Sequence, residues 1–175
     1  MNHTTGYIND LWKFDGTYWT WVSGNDSVDT PGNYGTKGVS SPNNYPSARA
    51  TVAGWLGPND TLWLFGGYEY PSGKFPHQNT AEISSLHSFS LDSNPNLQSY
   101  TGSYNDVWKF DGQYWTWISG SSTANVPGVY GTMGVSSSTT ISGSRNNHVA
   151  CYDPSTEIVW IFGGYGFDTN FNDGQ

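Results

Sequence analysis

Residues 9–24 read NDLWKFDGTYWTWVSG, and residues 105–120 read NDVWKFDGQYWTWISG. Thirteen of these 16 positions are identical, at a separation of 96 residues. Residues 31–41 (PGNYGTKGVSS) have a copy at the same separation, residues 127–137 (PGVYGTMGVSS). Self-similarity at a fixed spacing indicates a repeat architecture, in which each unit buries its apolar face against its neighbours. The sequence therefore predicts a fold built from copies of one unit.

Each repeat has the pattern of four short strands. In the first repeat we predict strands at residues 11–14, 18–22, 50–55 and 62–65. The pair Asp15-Gly16 is a hairpin turn signal between the first two strands. Gly66-Gly67 ends the last strand, where a left-handed or crowded backbone would need glycine. The pattern predicts an all-β fold.

The composition excludes two classes of partner. The chain has 175 residues with 9 Trp, 12 Tyr and 22 Gly, and only 11% of its residues are charged. Its net charge is -8, whereas binding to nucleic acid needs a basic surface. No apolar run is long enough to cross a bilayer. We expect no nucleic-acid partner and no membrane span.

The double glycines and the tryptophans resemble a known repeat. Phe65-Gly66-Gly67 and Phe162-Gly163-Gly164 lie in register with the strand at residues 9–15 and its copy at 105–111. Together with the spaced tryptophans, these residues resemble the kelch repeat of β-propellers, of the type in the central domain of galactose oxidase. The resemblance implies four-stranded blades, with strands A to D in order from the inside outward.

The resemblance also implies an incomplete propeller, because strands C and D come first and strands A and B come last. Within a single region, 1–175, the predicted units are a C–D half-blade (9–24), a whole blade (48–119) with a long loop insertion (69–103), an A–B half-blade (145–165) and a tail (166–175). Two blades would leave large aromatic surfaces in water. Either the chain is part of a longer propeller, or copies complete one another, in a ring or in a fibril. In the second case the assembly edges would be formed by Leu11, Trp12, Trp19, Trp21, Val149 and Trp160.

The long connections lie at one end of the predicted blades, where recognition loops usually sit. We expect a surface there that binds protein or glycan, formed by Tyr34, Tyr68, Tyr70, Phe75, His77, His87, Tyr100 and Tyr130. The alternative is that these residues pack the long loops against the strands. Duplication of the loop that contains Tyr34 favours this structural role for it.

The sequence gives no positive sign of catalysis. His77 and His87 are ten residues apart in a loop, which is weak spacing for a metal site. The copper-radical chemistry of galactose oxidase needs a tyrosine crosslinked to a cysteine and histidine ligands, and no histidine-rich motif lies near Cys151. We expect no catalytic residues, no metal and no cofactor. Arg49 and Arg145 hold equivalent positions, and we expect each to bond carbonyls or a nearby aspartate.

Three glycosylation sequons begin at Asn2, Asn25 and Asn59, a number that chance alone would give. The single cysteine, the few lysines and the many Ser, Thr, Asn and aromatic residues resemble secreted or cell-surface repeat proteins. The sequence therefore predicts a non-catalytic extracellular module that binds protein or glycan. The alternative is a structural subunit that assembles by completing blades or strands between chains.

Overall fold

The fold is all-β, as the sequence predicts. The structure is a computed structural model that describes residues 5–69 and 102–169. The strands in these ranges are β1 (Leu11–Phe14), β2 (Trp19–Ser23), β3 (Ala53–Leu56), β4 (Leu62–Phe65), β5 (Tyr68–Glu69), β6 (Gly102–Ser103), β7 (Val107–Phe110), β8 (Trp115–Ser119), β9 (Arg145–Asn146), β10 (Val149–Asp153), β11 (Ile158–Phe162) and β12 (Tyr165–Gly166). A short 3-10 turn, Pro58–Asp60, joins β3 to β4. Within residues 5–69 and 102–169, none of the helical segments could span a lipid bilayer.

The central element is a four-stranded antiparallel sheet in the order β3-β4-β7-β8. Strand β4 pairs with β7 across the long insertion, with Phe65 opposite Val107 and Leu62 opposite Phe110. The two ends of that insertion also pair with each other, as β5 and β6. The long insertion therefore begins and ends at neighbouring points beside the sheet.

Two hairpins flank this sheet, one from each end of the described chain. Strands β1 and β2 form the first and β10 and β11 the second, both antiparallel. The Asp15 carboxylate accepts hydrogen bonds from the backbone N–H groups of Thr17 and Tyr18, at 2.9 Å each. These two bonds lower the pKa of Asp15. The predicted Asp-Gly turn is therefore confirmed, and its aspartate closes it as an Asx turn.

The core lies on the four-stranded sheet and consists of Trp108, Phe110 and Trp115. Leu11 and Val22 of the first hairpin pack against it. The glycine pair that ends β4 reaches β9, because Gly67 N–H donates to the Arg145 carbonyl at 3.0 Å. The central sheet thus contacts the first hairpin through its core and the second hairpin through β3 and β10.

The strand predictions are confirmed, without shift for 11–14 and 62–65 and with shifts of one to three residues for the other two. Strand β3 begins at Ala53 rather than at residue 50, because Thr51 has a left-handed φ of 57° that interrupts the extended chain. Ala50 instead bridges to Tyr68. The sheets do not close into a propeller within the described residues.

Candidate functional site

A buried ionic cluster joins a loop, the residues before β3 and the start of β7. Arg49 Nη1 donates to Asp106 Oδ1 at 2.7 Å, and the Tyr34 hydroxyl donates to Asp106 Oδ2 at 2.6 Å. Both charged side chains are buried, that of Asp106 completely. Arg49 also donates to the carbonyls of Gly66 at 3.1 Å and Ser47 at 3.2 Å. The prediction that Arg49 bonds carbonyls or an aspartate is confirmed.

Burial and neighbouring charges together fix the protonation states of Arg49 and Tyr34. Burial opposes the charge of Arg49, but Asp106 and Tyr34 outweigh burial, so the pKa of Arg49 is raised. Burial, followed by the charge of Asp106, raises the pKa of Tyr34. Arg49 therefore stays a cation and Tyr34 a neutral donor across the physiological range. The cluster is suited to holding elements together rather than to transferring protons.

The copies of Arg49 and Asp106, Arg145 and Asp10, lie in different parts of the chain, and each keeps some of the contacts seen in the cluster. Arg145, the copy of Arg49, donates to the carbonyls of Gly163 at 3.0 Å and Gly143 at 3.3 Å. Asp10, the copy of Asp106, accepts from Trp12 Nε1 at 2.6 Å. Among residues 5–69 and 102–169, the pair of Arg49 and Asp106 is the only ion pair. Arg145 and Asp10 are thus arranged like their copies but do not meet.

Aromatic residues that are buried in the complete repeat are exposed in the incomplete ones. Trp108 is 1% exposed, whereas its copy Trp12 is 48% exposed. Phe65 is 3% exposed, whereas its copy Phe162 is 80% exposed. The same contrast separates Phe110 from Phe14, Trp115 from Trp19, and Ala53 from Val149. Equivalent positions of the repeat therefore differ in exposure between its copies.

In the part of the chain that the structure describes, two strands lack a pairing that their copies have in the central sheet. Strand β4 pairs on both sides, with β3 and with β7. Its copy β11 pairs with β10 alone, and β1, the copy of β7, pairs with β2 alone. Among the described residues, the outer edges of β11 and β1 correspond to edges that are paired in the central sheet, so they are sites for strand addition.

The two copies of the duplicated loop, residues 31–41 and 127–137, differ in their contacts: the first packs on a strand, and the second is exposed. In the first copy, Gly38 N–H donates to the Trp117 carbonyl at 2.8 Å, and Lys37 Nζ lies 4.3 Å from the centre of the Trp117 ring. In the second copy, Met133 replaces Lys37 and is 98% exposed. The first copy of the loop lies on the four-stranded sheet, whereas no equivalent sheet lies beneath the second copy among residues 5–69 and 102–169.

The predicted binding residues fall into two groups. Tyr34, Tyr68 and Tyr130 lie in the described ranges, whereas Tyr70, Phe75, His77, His87 and Tyr100 lie outside them. The Tyr34 hydroxyl is used by Asp106, and its ring packs against Trp108 with centroids 4.9 Å apart. This supports the structural role for Tyr34, and the loop-face binding surface stays a prediction.

The predicted assembly residues lie on the two hairpins. Trp12, Trp19, Trp21, Val149 and Trp160 are exposed. Leu11 is different, because it packs against the core of the central sheet.

The sequons differ in accessibility. Asn59 is exposed in the turn after β3, whereas the side-chain nitrogen of Asn25, the atom that a glycan would modify, is buried. Asn2 lies outside the described ranges. A glycan at Asn25 would require that loop to move.

Metal-ligating side chains are dispersed over the part of the chain that the structure describes. No group of three or more His, Cys, Asp or Glu side chains comes together in 5–69 and 102–169. Cys151 is exposed on β10, opposite Trp160. An open groove of about 630 Å³ lies beside it, between the turn after β3 and residues 150–157.

Comparison of the chain with models of protein families, with curated proteins and with solved structures found no match.

Sequence reasoning missed the aspartates of the cluster. Asp10 and Asp106 stand in the duplicated Asn-Asp-x-Trp motif, and each accepts a hydrogen bond from the tryptophan two residues later. Their duplication with Arg49 and Arg145 was a visible signal. What sequence could not supply is the distance between arginine and aspartate, since 57 residues separate them.

Proposed function

We propose that this chain is a structural repeat subunit that assembles with copies of itself. Strand β11 of one copy pairs with β1 of the next, and the two hairpins together form a four-stranded sheet like β3-β4-β7-β8. The observation that carries the proposal is that identical aromatic positions are buried in the complete sheet and exposed in both hairpins. In the terms of the kelch resemblance, each copy supplies one whole blade and two half-blades.

The register of the new pairing follows from the central sheet. There, Phe65 lies opposite Val107 and Trp63 opposite Lys109. The copies of these residues pair Phe162 with Leu11 of the next copy, and Trp160 with its Lys13. Lys109 Nζ lies 6.0 Å from the centre of the Trp63 ring, so Lys13 would make the same cation–π contact with Trp160.

The energetics allow such a contact. Burying about 100 Å² on each of the four exposed rings, Trp12, Phe14, Trp19 and Phe162, yields on the order of 10 kcal/mol. Association costs about 4–15 kcal/mol in lost freedom of motion. The rings alone therefore roughly offset that cost, and the strand pairing and polar contacts decide the strength of the contact.

A mutation that removes one exposed ring tests the proposal. We expect the wild-type chain to form species heavier than 19.2 kDa in sedimentation velocity and light scattering. Phe162→Ser should be a folded monomer, because the ring is exposed in the single chain and buried only in the new sheet. A three-copy species would indicate a closed ring, and a continuous series of sizes an open filament.

The repeat supplies two matched controls. Val39→Ser should leave the assembly unchanged, because Val39 is 52% exposed and its copy Val135 is 59% exposed, so neither repeat buries this position. Phe65→Ser changes the buried copy and should instead destabilise the fold by about 3–5 kcal/mol. A wild-type chain that stays a folded monomer at high concentration would overturn the proposal.

Binding of protein or glycan by the loop face, and an extracellular location, stay predictions. Most of the residues proposed for that face lie outside the described ranges.

A further inference from the structure

We propose that Arg145 of one copy, Asp10 of the next copy and Tyr130 of the first form a buried ionic cluster that recognises the second copy and sets the direction of assembly. The proposal rests on the proposed function, since the strand pairing brings these residues together. The proposed cluster would repeat, between two chains, the contacts that Arg49, Asp106 and Tyr34 make within one chain.

The guanidinium of Arg145 is already held in the position that the cluster needs. Arg49 uses Nε for the Ser47 carbonyl and Nη1 for the Gly66 carbonyl. Arg145 uses the same two atoms for Gly143 and Gly163. Because both arginines are fixed by the same pair of backbone positions, little side-chain freedom is lost when Arg145 meets a carboxylate.

Asp10 is prepared in the same way. Trp108 Nε1 donates to Asp106 Oδ2 at 2.8 Å, and Trp12 Nε1 donates to Asp10 Oδ2 at 2.6 Å. In the complete cluster Asp106 Oδ1 is the atom that accepts from the arginine. Asp10 is therefore turned to offer its Oδ1 to Arg145 of the neighbouring copy.

The loop that contains Tyr130 makes the same backbone turn as the first copy of the loop, which contains Tyr34. Val39 N–H donates to the Thr36 carbonyl at 3.0 Å, and Val135 N–H donates to the Thr132 carbonyl at 3.0 Å. Tyr130 is 59% exposed, whereas Tyr34 is half-buried against Trp108 and Trp117. The second loop is thus formed before its partner arrives, and Tyr130 would rest on Trp12 and Trp21 of the next copy.

Charge makes the contact directional. The arginine half lies on the β10–β11 end of every copy, and the aspartate half lies on the β1–β2 end. Two like ends would bring two arginines or two aspartates together without compensation, which strongly disfavours that pairing. Each copy therefore binds head to tail, as a heterologous contact requires.

Two variants that each block one end test the inference. Asp10→Lys places a lysine opposite Arg145 and should be monomeric, with its β10–β11 end intact. Phe162→Ser should be monomeric, with its β1–β2 end intact. A mixture should give a one-to-one complex of twice 19.2 kDa and nothing larger, because only one pair of ends is competent. That complex would also show that Asp10→Lys is folded.

The role of the Tyr130 hydroxyl is tested by Tyr130→Phe, with Tyr34→Phe as the matched control. Tyr130→Phe, introduced into Asp10→Lys, should raise the dissociation constant of the mixed complex about 10-fold or more, because a hydrogen bond to a buried carboxylate is lost. Tyr34→Phe in the same chain should leave that constant unchanged and lower the stability of the fold.

The outcomes separate the inference from the proposed function. If the wild-type chain assembles, Phe162→Ser is monomeric and Asp10→Lys assembles like wild type, then the strands pair and the ionic cluster does not form. A mixture that yields particles larger than two chains would also contradict the inference, since it would mean that the blocked ends still bind. A monomeric wild-type chain would overturn both.

Discussion

Asp106 and Asp10 occupy the same position of one duplicated motif, yet their surroundings differ. Asp106 is completely buried and pairs with Arg49, whereas Asp10 is half-buried and bonds the indole of Trp12. A residue's contribution to stability here depends on which repeat contains it. The two copies therefore serve as built-in controls for each other.

We expect Asp106→Asn to lower the free energy of unfolding by about 3–5 kcal/mol, because it leaves the Arg49 charge buried without its counter-ion. Asp10→Asn should cost less than about 1 kcal/mol in the single chain. Urea unfolding in the monomeric Phe162→Ser background measures both. Equal losses at the two positions would contradict the assignment of Asp106 to a buried ion pair.

We expect His148 to make the stability of the fold depend on pH. It is buried beside Phe65, with ring centroids 5.0 Å apart, and burial followed by the charge of Arg145 lowers its pKa below 6.5. The folded chain therefore resists protonation more than the unfolded chain does. The free energy of unfolding should fall as pH drops from about 7.5 to about 5.5.

Urea unfolding at both pH values measures this effect. His148→Leu, which fills the site but takes up no proton, should flatten the dependence on pH. If the slope is the same in wild type and in His148→Leu, the effect comes from other groups.

At the scale of elements, the first glycine after β4 is packed against its neighbours, whereas its copy after β11 is less crowded. The glycine pair at the end of β4 fits between its neighbours, and a Cβ on Gly66 would lie 2.7 Å from the Arg145 carbonyl oxygen. Its copy Gly163 has nothing within 4 Å of the same position. Both have a left-handed φ, of 62° and 70°. The backbone requirement is thus shared, and the crowding is not.

We expect Gly66→Ala to destabilise the chain by about 3 kcal/mol or more, from left-handed strain plus a backbone clash. Gly163→Ala should cost only the strain, about 1 kcal/mol, in the monomeric background. Thermal unfolding of the pair measures the difference. Similar losses would mean that the clash at Gly66 is relieved by movement of β9.

At the scale of the whole molecule, the proposed contact joins two chains that each carry a net charge of -8. Long-range repulsion between such chains is screened by salt, whereas a buried arginine–aspartate pair is screened much less. Assembly is therefore a balance between an unfavourable field and a favourable local contact.

Raising the NaCl concentration from about 20 mM to about 300 mM should shift the wild-type chain toward larger species, because the Debye length falls below about 10 Å. Sedimentation velocity across this series measures the shift. Asp10→Lys should stay monomeric throughout. A wild-type assembly that dissociates as salt rises would indicate a contact made by exposed ion pairs instead.

The sequence alone determined the local elements of this protein. Alternating aromatic residues, the Asp-Gly turns and the double glycines act within a few neighbours, so the strands at 11–14 and 62–65 could be predicted to the residue. The duplication of Arg49 and Arg145 also allowed the prediction that each bonds backbone carbonyls or a nearby aspartate. Only the tertiary structure decided which copy of each motif is buried. That depends on whether a strand far away in sequence, such as β7 beyond the long insertion, returns to cover it. It also brought Arg49 to Asp106, because a contact across 57 residues is fixed by sheet geometry and not by any local preference.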